Sequence, residues 1–161
     1  MPTKLVLTID RQRVEAEPGM TVLEAARAAG LYIPTLCYDP HLKPYGACRL
    51  CIVEIEKMRG LPTACTTPVA DGMVVTTASP RINAMRRNIV ELLLSDHPSD
   101  CLLCAKNGHC DLQKIAAYVG VRQMRFAGQK RSYAIDDSNP FYERDLERCI
   151  LCGKCVRVCD E

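Results

Sequence analysis

The chain has 161 residues and a formal net charge of +2, which argues against a dominant role in binding nucleic acid or a membrane surface. No stretch approaches the roughly 18 apolar residues of a membrane-spanning helix, and the N-terminus lacks the apolar run of a signal peptide. There is no Trp, but there are eleven Cys, an odd number. We therefore predict a cytoplasmic protein with no direct membrane insertion, in which reduced cysteines bind metal instead of forming disulfides.

The first part of the chain predicts a small sheet packed on one helix. Apolar residues alternate over 5–16, and a polar turn at Asp10 divides them into a β-hairpin. Thr21 and Glu24 have the spacing of a capping box, which begins a helix, and Gly30 supplies the left-handed residue that ends it. Two further strands are predicted at 52–56 and 74–77.

The pattern changes to a helical one near Ser79. This residue can cap a helix, and Pro80 suits the first helical position. A stripe of apolar residues follows at helical spacing, and we expect it to belong to the core. The stripe consists of Ile82, Met85, Ile89, Leu92 and Leu93. A second, short helix is predicted to end at Gly120, residues 121–145 give no clear assignment, and the last segment predicts a turn entering a short helix.

Three groups of potential metal ligands follow one another along the chain. The first has four cysteines in a loop rich in Pro and Gly: Cys37, Cys48, Cys51 and Cys65. The arrangement resembles that of ferredoxins, which bind a [2Fe–2S] cluster with four thiolates, but its first gap is longer than in the plant-type spacing. Small residues such as Gly46 let backbone N–H groups approach the sulfur atoms. A structural zinc site uses similar cysteine pairs and remains an alternative.

The second group combines one imidazole with three thiolates. Its members are His97, Cys101, Cys104 and Cys110. The four side chains can complete a site, and a neutral His in place of a thiolate is expected to raise its reduction potential. Zinc accepts the same ligand set. His97 also stands beside Pro98 at a predicted helix end, where an exposed His without a ligand role is an alternative.

The third group has the cysteine spacing of bacterial ferredoxins. It consists of Cys149, Cys152, Cys155 and Cys159. In two-cluster ferredoxins the fourth cysteine of such a run ligates the other cluster. The [4Fe–4S] cluster of the first three would then lack its fourth ligand, and Cys159 would serve a second [4Fe–4S] cluster. We therefore expect the sequence to be part of a longer chain.

Together these motifs resemble the N-terminal iron–sulfur region of the large iron–sulfur subunit of complex I and its relatives. The relatives are [FeFe]-hydrogenases, the diaphorase arm of NAD-reducing hydrogenases, and NAD-dependent formate dehydrogenases. The resemblance spans nearly the whole chain and is carried by residues 34–37, 46–51, 96–104, 138–141 and 148–155.

The resemblance implies an α+β chain of three parts. A β-grasp [2Fe–2S] ferredoxin domain is expected over 1–78. A small, mostly helical [4Fe–4S] domain with one His and three Cys ligands is expected over 79–120. A linker and a truncated ferredoxin-like [4Fe–4S] domain are expected over 121–161.

The resemblance also implies electron transfer between a flavin/NAD(H)-binding subunit and a catalytic subunit or missing C-terminal domain. Complex I subunits generally lack a cysteine at the place of Cys159, so this residue favours a formate dehydrogenase or hydrogenase type, with the NADH:quinone oxidoreductase type next. No residue pattern indicates a catalytic site in the chain itself. The alternatives are a structural zinc-binding scaffold and a stand-alone ferredoxin-like carrier.

Overall fold

The computed structural model describes residues 4–130 and 132–161. The chain divides into two compact units, the first formed by Met1–Arg86 with Gly153–Glu161 and the second by Arg87–Cys152. Within the described residues, no helix combines the length and apolar character needed to cross a membrane. The fold mixes helices and strands, as predicted, while the domain limits at 78 and 120 stay predictions.

A β-hairpin opens the first unit, as its alternating pattern predicts. Strand β1 (Leu5–Ile9) pairs antiparallel with β2 (Gln12–Ala16), and Ile9 lies opposite Gln12. The two turn residues, Asp10 and Arg11, have φ angles of 48° and 69°, the left-handed pair that a two-residue hairpin turn requires. One face of the hairpin is buried in the core by Leu7, Ile9, Val14 and Ala16.

Two short strands complete a four-stranded sheet with the order β2-β1-β4-β3. Strand β4 (Val74–Thr76) runs parallel to β1 and antiparallel to β3 (Glu54–Ile55). Strand β3 is shorter than the 52–56 predicted. The preceding backbone pairs elsewhere, because the Val53 N–H donates to the Pro62 carbonyl at 3.0 Å.

Helix α1 (Val22–Ala28) packs its apolar side chains into the same core as the sheet. Its predicted capping box is confirmed: the Thr21 N–H donates to the Glu24 carboxylate at 2.8 Å, and the Glu24 N–H donates to the Thr21 hydroxyl at 3.3 Å. Gly30 has a φ of 74°, as expected of the residue that ends the helix.

Helix α2 (Pro80–Ser95) begins where predicted, since the Ser79 hydroxyl accepts a hydrogen bond from the Ile82 N–H at 3.1 Å. The expected core stripe was partly wrong. Met85 and Leu92 are 44% and 55% exposed. The buried face instead contains Ile82, Arg86, Val90 and Glu91. Charged residues take core positions here because other parts of the chain supply their partners, which helical periodicity cannot reveal.

The second unit contains a 3-10 turn (Cys101–Leu103) and helix α3 (Asp111–Tyr118), whose apolar side is buried. As predicted, Gly120, with a φ of 71°, follows the end of α3 and its C-cap residue Val119. A hairpin of β5 (Asp136–Asn139) and β6 (Tyr142–Arg144) lies in the region that had no assignment. Its strands are short, polar and largely exposed, so they carry no apolar alternation.

The predicted turn and short helix at the end of the chain are present. Helix α4 (Lys154–Asp160) follows Gly153, which has a φ of 70°. This helix belongs to the first unit, whereas the turn before it belongs to the second.

Candidate metal centres

The four cysteines of the first group lie together in the first unit. Cys37, Cys51 and Cys65 are buried and Cys48 is half-buried. The Ala64 N–H donates to the Cys51 carbonyl at 2.9 Å, which holds the two cysteine-bearing segments side by side. Charge on any of the other three cysteines raises the pKa of Cys65, so all four side chains lie near one another.

Backbone amides point at the sulfur atoms of this group. The Leu36 N–H donates to Cys48 Sγ at 3.5 Å, and the Cys48 N–H donates to Cys37 Sγ at 3.4 Å. The loop approaches closely at Gly46, whose φ is 69° and where a Cβ would lie 3.2 Å from the Thr66 methyl carbon. A residue without a side chain is therefore needed there.

The thiols of this group form two hydrogen-bonded pairs with opposite pKa shifts. A hydrogen bond from Cys37 lowers the pKa of Cys48 to about 5, with help from backbone amides, and raises the pKa of Cys37. In the same way, the bond between Cys51 and Cys65 lowers the pKa of Cys51 and raises that of Cys65. Three buried sulfur donors and one half-buried one, two of the four with lowered pKa values, are chemically suited to an iron–sulfur cluster.

The second group surrounds one small cavity in the second unit. His97, Cys101, Cys104 and Cys110 all line it, together with Arg148 and apolar neighbours. Cys101 and Cys104 stand at the two ends of the 3-10 turn, where the Cys104 N–H donates to the Cys101 carbonyl at 3.2 Å. Cys110 is the residue that precedes α3. The fold thus brings all four predicted ligands to the same space.

Burial lowers the pKa of His97, and the positive charge of Arg148 adds to this effect. A depressed pKa favours the neutral imidazole, which is the form that ligates a metal. One imidazole and three thiols around a cavity fit the donor set expected for the second centre. Among the described residues, no group of three or more His, Cys, Asp or Glu side chains is arranged so that it could hold a single metal ion.

Arg148 is a residue of the second centre that the sequence reasoning missed. Its two terminal nitrogens donate to the Asp100 carboxylate at 3.2 and 2.7 Å, and its Nε donates to Asp145 at 3.0 Å. The hydrogen bond with Arg148 lowers the pKa of Asp100 and raises that of Arg148 itself. Because Asp100 lies 48 positions away, no local pattern indicates this pairing.

The third group is divided between the two units. Cys149 and Cys152 belong to the second unit, and Cys155 and Cys159 belong to the first. All but the half-buried Cys152 are exposed. The Leu151 N–H donates to Cys149 Sγ at 3.4 Å. The assignment of these four cysteines to [4Fe–4S] clusters stays a prediction.

Arg157 of helix α4 is a second residue that spacing did not identify. Its terminal nitrogens donate to the carbonyls of Lys43 and Cys37 at 2.6 and 2.9 Å, and its guanidinium lies 5.2 Å from the centroid of the Tyr45 ring. Its Nε is buried and has no hydrogen-bond partner within the described part of the chain. The terminal helix is thus bound to the loop that carries Cys37.

Comparison with protein families divides the chain into three matching segments. Residues 3–80 match a 2Fe-2S iron-sulfur cluster binding domain, and residues 86–125 match the NADH-ubiquinone oxidoreductase-G iron-sulfur binding region. Residues 142–161 match a 4Fe-4S binding domain. The chain therefore contains domains for both [2Fe–2S] and [4Fe–4S] clusters, as predicted.

The chain is also similar to named proteins over nearly its whole length. It is 42% identical over 162 residues to NADP-reducing hydrogenase subunit HndD of Solidesulfovibrio fructosivorans, which covers 97% of the chain and 28% of that protein. It is 40% identical over 164 residues to the mitochondrial NADH-ubiquinone oxidoreductase 78 kDa subunit of Neurospora crassa, which covers 99% of the chain and 22% of that protein.

A crystal structure of NAD+-reducing [NiFe]-hydrogenase in the H2-reduced state has the same fold, with a TM-score of 0.89 and 38% sequence identity. The match covers 95% of this chain and 64% of that one. The chain is similar in sequence to these hydrogenase and NADH-ubiquinone oxidoreductase proteins. This confirms the resemblance drawn from the cysteine and histidine motifs, although the chain spans only about a quarter of the length of the two curated relatives.

Proposed function

We propose that this chain relays electrons between a flavin/NAD(H)-binding module and a catalytic module. One observation carries the proposal: residues that are separated in the sequence lie together in the fold. The four cysteines of the first group span 29 positions and come together in the first unit. The histidine and three cysteines of the second group span 14 positions and line one cavity in the second unit. The matches to iron–sulfur subunits of NAD(P)-linked oxidoreductases support the same conclusion.

The ligand assignments are part of this proposal. Cys37, Cys48, Cys51 and Cys65 would hold a [2Fe–2S] cluster in a β-grasp ferredoxin domain. His97, Cys101, Cys104 and Cys110 would hold a [4Fe–4S] cluster. Cys149, Cys152 and Cys155 would hold a further [4Fe–4S] cluster, with Cys159 serving a second one. When bound, such clusters supply one-electron transfer at potentials that the surrounding protein adjusts.

The residues of the chain contribute rigidity, burial and oriented charge. Backbone amides at Leu36 and Cys48 point at sulfur in the first group, so they stabilise negative charge there without any rearrangement. In the second group, the neutral His97 takes the place of a charged thiolate and so reduces the negative charge around the cavity. Both arrangements favour uptake of an electron by the occupied site.

We further propose the setting of the relay. A flavin/NAD(H)-binding subunit and a catalytic subunit or domain would flank the chain in the cytoplasm. The relatives named above are NADH-ubiquinone oxidoreductase and NAD(P)-linked hydrogenase subunits, and both parent types agree with the proposal. The formate dehydrogenase type, which Cys159 also favoured, stays a prediction.

Iron and acid-labile sulfide per chain, measured on anaerobically purified protein with EPR after reduction, test the proposal. About ten irons would correspond to one [2Fe–2S] and two [4Fe–4S] clusters, and about six to the first two centres alone. Stoichiometric zinc without sulfide, in a colourless protein, would replace the relay with a structural scaffold. A monomer with every cluster saturated and active in electron exchange by itself would indicate a stand-alone carrier.

A further inference from the structure

The first half of α2 carries a buried cation that contacts the backbone on both sides of Cys51. Arg86 is 0% exposed, and its Nε donates to the Leu50 carbonyl at 2.9 Å while a terminal nitrogen donates to the Ile52 carbonyl at 2.8 Å. These two carbonyls flank Cys51, one of the proposed ligands. A single planar guanidinium thus fixes the backbone on both sides of that cysteine.

Fixing the Leu50 carbonyl also fixes the amide of Cys51. The two groups belong to one planar trans peptide, so the N–H points away from the side to which the carbonyl points. With Arg86 on the carbonyl side, the N–H of Cys51 is directed to the opposite side of the peptide.

The charge of Arg86 acts on the centre as well. A guanidinium stays protonated at all accessible pH values, and a buried charge is poorly screened by water and salt. A fixed cation near a centre that gains an electron stabilises the reduced state more than the oxidised one. No rearrangement is needed, because both hydrogen bonds hold the guanidinium in place.

We propose that Arg86 is a positioning residue of the first iron–sulfur centre, which holds the backbone around Cys51 and raises the centre's reduction potential. This inference rests on the proposed ligation of a [2Fe–2S] cluster by Cys51 and its three partners. It assigns a role to a helix outside the cysteine motif.

Two variants of the anaerobically purified protein test this role, with the midpoint potential of the [2Fe–2S] EPR signal as the main measurement. Arg86→Gln removes the charge and is expected to make the potential more negative. Arg86→Lys keeps the charge but cannot span both carbonyls, so a smaller shift in the same direction is expected, with altered iron–sulfur stretching frequencies in resonance Raman spectra.

Arg87 offers a matched control on the same helix. Its Nε donates to the Val119 carbonyl at 3.1 Å, so Arg87→Gln also removes one arginine and one bond to a backbone carbonyl. The potential of the [2Fe–2S] signal is expected to stay at the wild-type value in this variant.

The outcomes separate this inference from the function on which it rests. A wild-type potential in Arg86→Gln with a full cluster, or an equal shift in Arg87→Gln, would overturn the role of Arg86 and leave the relay intact. If Arg86→Gln does not fold, Arg86→Lys decides, since a wild-type potential and Raman spectrum there would overturn the role as well. Absence of any redox-active cluster from the wild-type protein would instead remove the proposed function.

Discussion

The two centres are built by different means. In the first unit, backbone groups dominate: amides point at the sulfur atoms of Cys37 and Cys48, and a buried arginine binds the flanking carbonyls. In the second unit, half-buried side chains line most of the cavity, among them Arg148, which forms ion pairs with Asp100 and Asp145. A site fixed by buried backbone is insulated from solvent, whereas one fixed by surface ion pairs responds to salt.

Removal of a ligand is the change with the largest expected effect, and it tests whether the two centres are independent. In Cys51→Ser the [2Fe–2S] EPR signal is expected to be lost almost completely, because a hydroxyl is a poor replacement for a buried thiolate, while the signal of the second centre remains. Cys110→Ser is the reciprocal control. Loss of both signals in either variant would contradict independent centres.

The next largest expected effect is a loss of stability when a core side chain of α2 is shortened, compared with the same change on the exposed face of the helix. Ile82→Ala is expected to lower the free energy of unfolding by about 2–5 kcal/mol, since Ile82 is fully buried. Leu92→Ala on the same helix is expected to cost less than about 0.5 kcal/mol, because Leu92 is 55% exposed. Urea denaturation followed by circular dichroism measures both. Equal losses would show that the exposed face of α2 is covered in solution.

The capping box of α1 contributes a smaller amount of stability to the first unit. Thr21→Ala is expected to lower the free energy of unfolding by about 1 kcal/mol, because the amide at the helix start loses its acceptor. Thr21→Ser keeps the hydroxyl and serves as the control in the same denaturation experiment. An equal loss in the serine variant would point to packing of the Thr methyl group instead of capping.

The smallest expected effect concerns the ion pair of Asp100 with Arg148. Asp100→Asn is expected to destabilise the second unit slightly, and the difference from wild type is expected to shrink as salt rises. Arg148 lowers the pKa of Asp100 in the folded protein. The ion pair therefore contributes its full stability above the unfolded-state pKa of about 4, and this stability is lost only as pH falls through the lower pKa of the folded state. The difference measured by denaturation should therefore be constant from about pH 5 to 8.

Arg144→Gln is a control for that pair, because it breaks a comparable ion pair with Asp136 on the β5–β6 hairpin of the same unit. Its stability effect should depend on salt in the same way, but the EPR signal of the second centre should not change. A change in that signal with Asp100→Asn alone would locate the effect at the cavity.

Local sequence was sufficient wherever the interacting residues are neighbours in the chain. The capping box of Thr21 with Glu24, the left-handed Gly30 and the hairpin turn at Asp10 were predicted correctly, because each depends on contacts within a few residues. The cysteine and histidine spacings also singled out side chains that lie together within each unit, while their roles as cluster ligands stay a prediction. Short-range geometry and ligand chemistry restrict these features so strongly that tertiary contacts add little to their prediction.

Tertiary structure alone decided what surrounds those ligands. Arg86 reaches the Leu50 and Ile52 carbonyls from 36 and 34 positions away, Arg148 reaches Asp100 from 48, and Arg157 reaches the Cys37 carbonyl from 120. The local sequence around an arginine looks the same whether its side chain faces solvent or a buried carbonyl. Only the folded chain brings these cations to the centres, because their partners are distant in sequence and close in space.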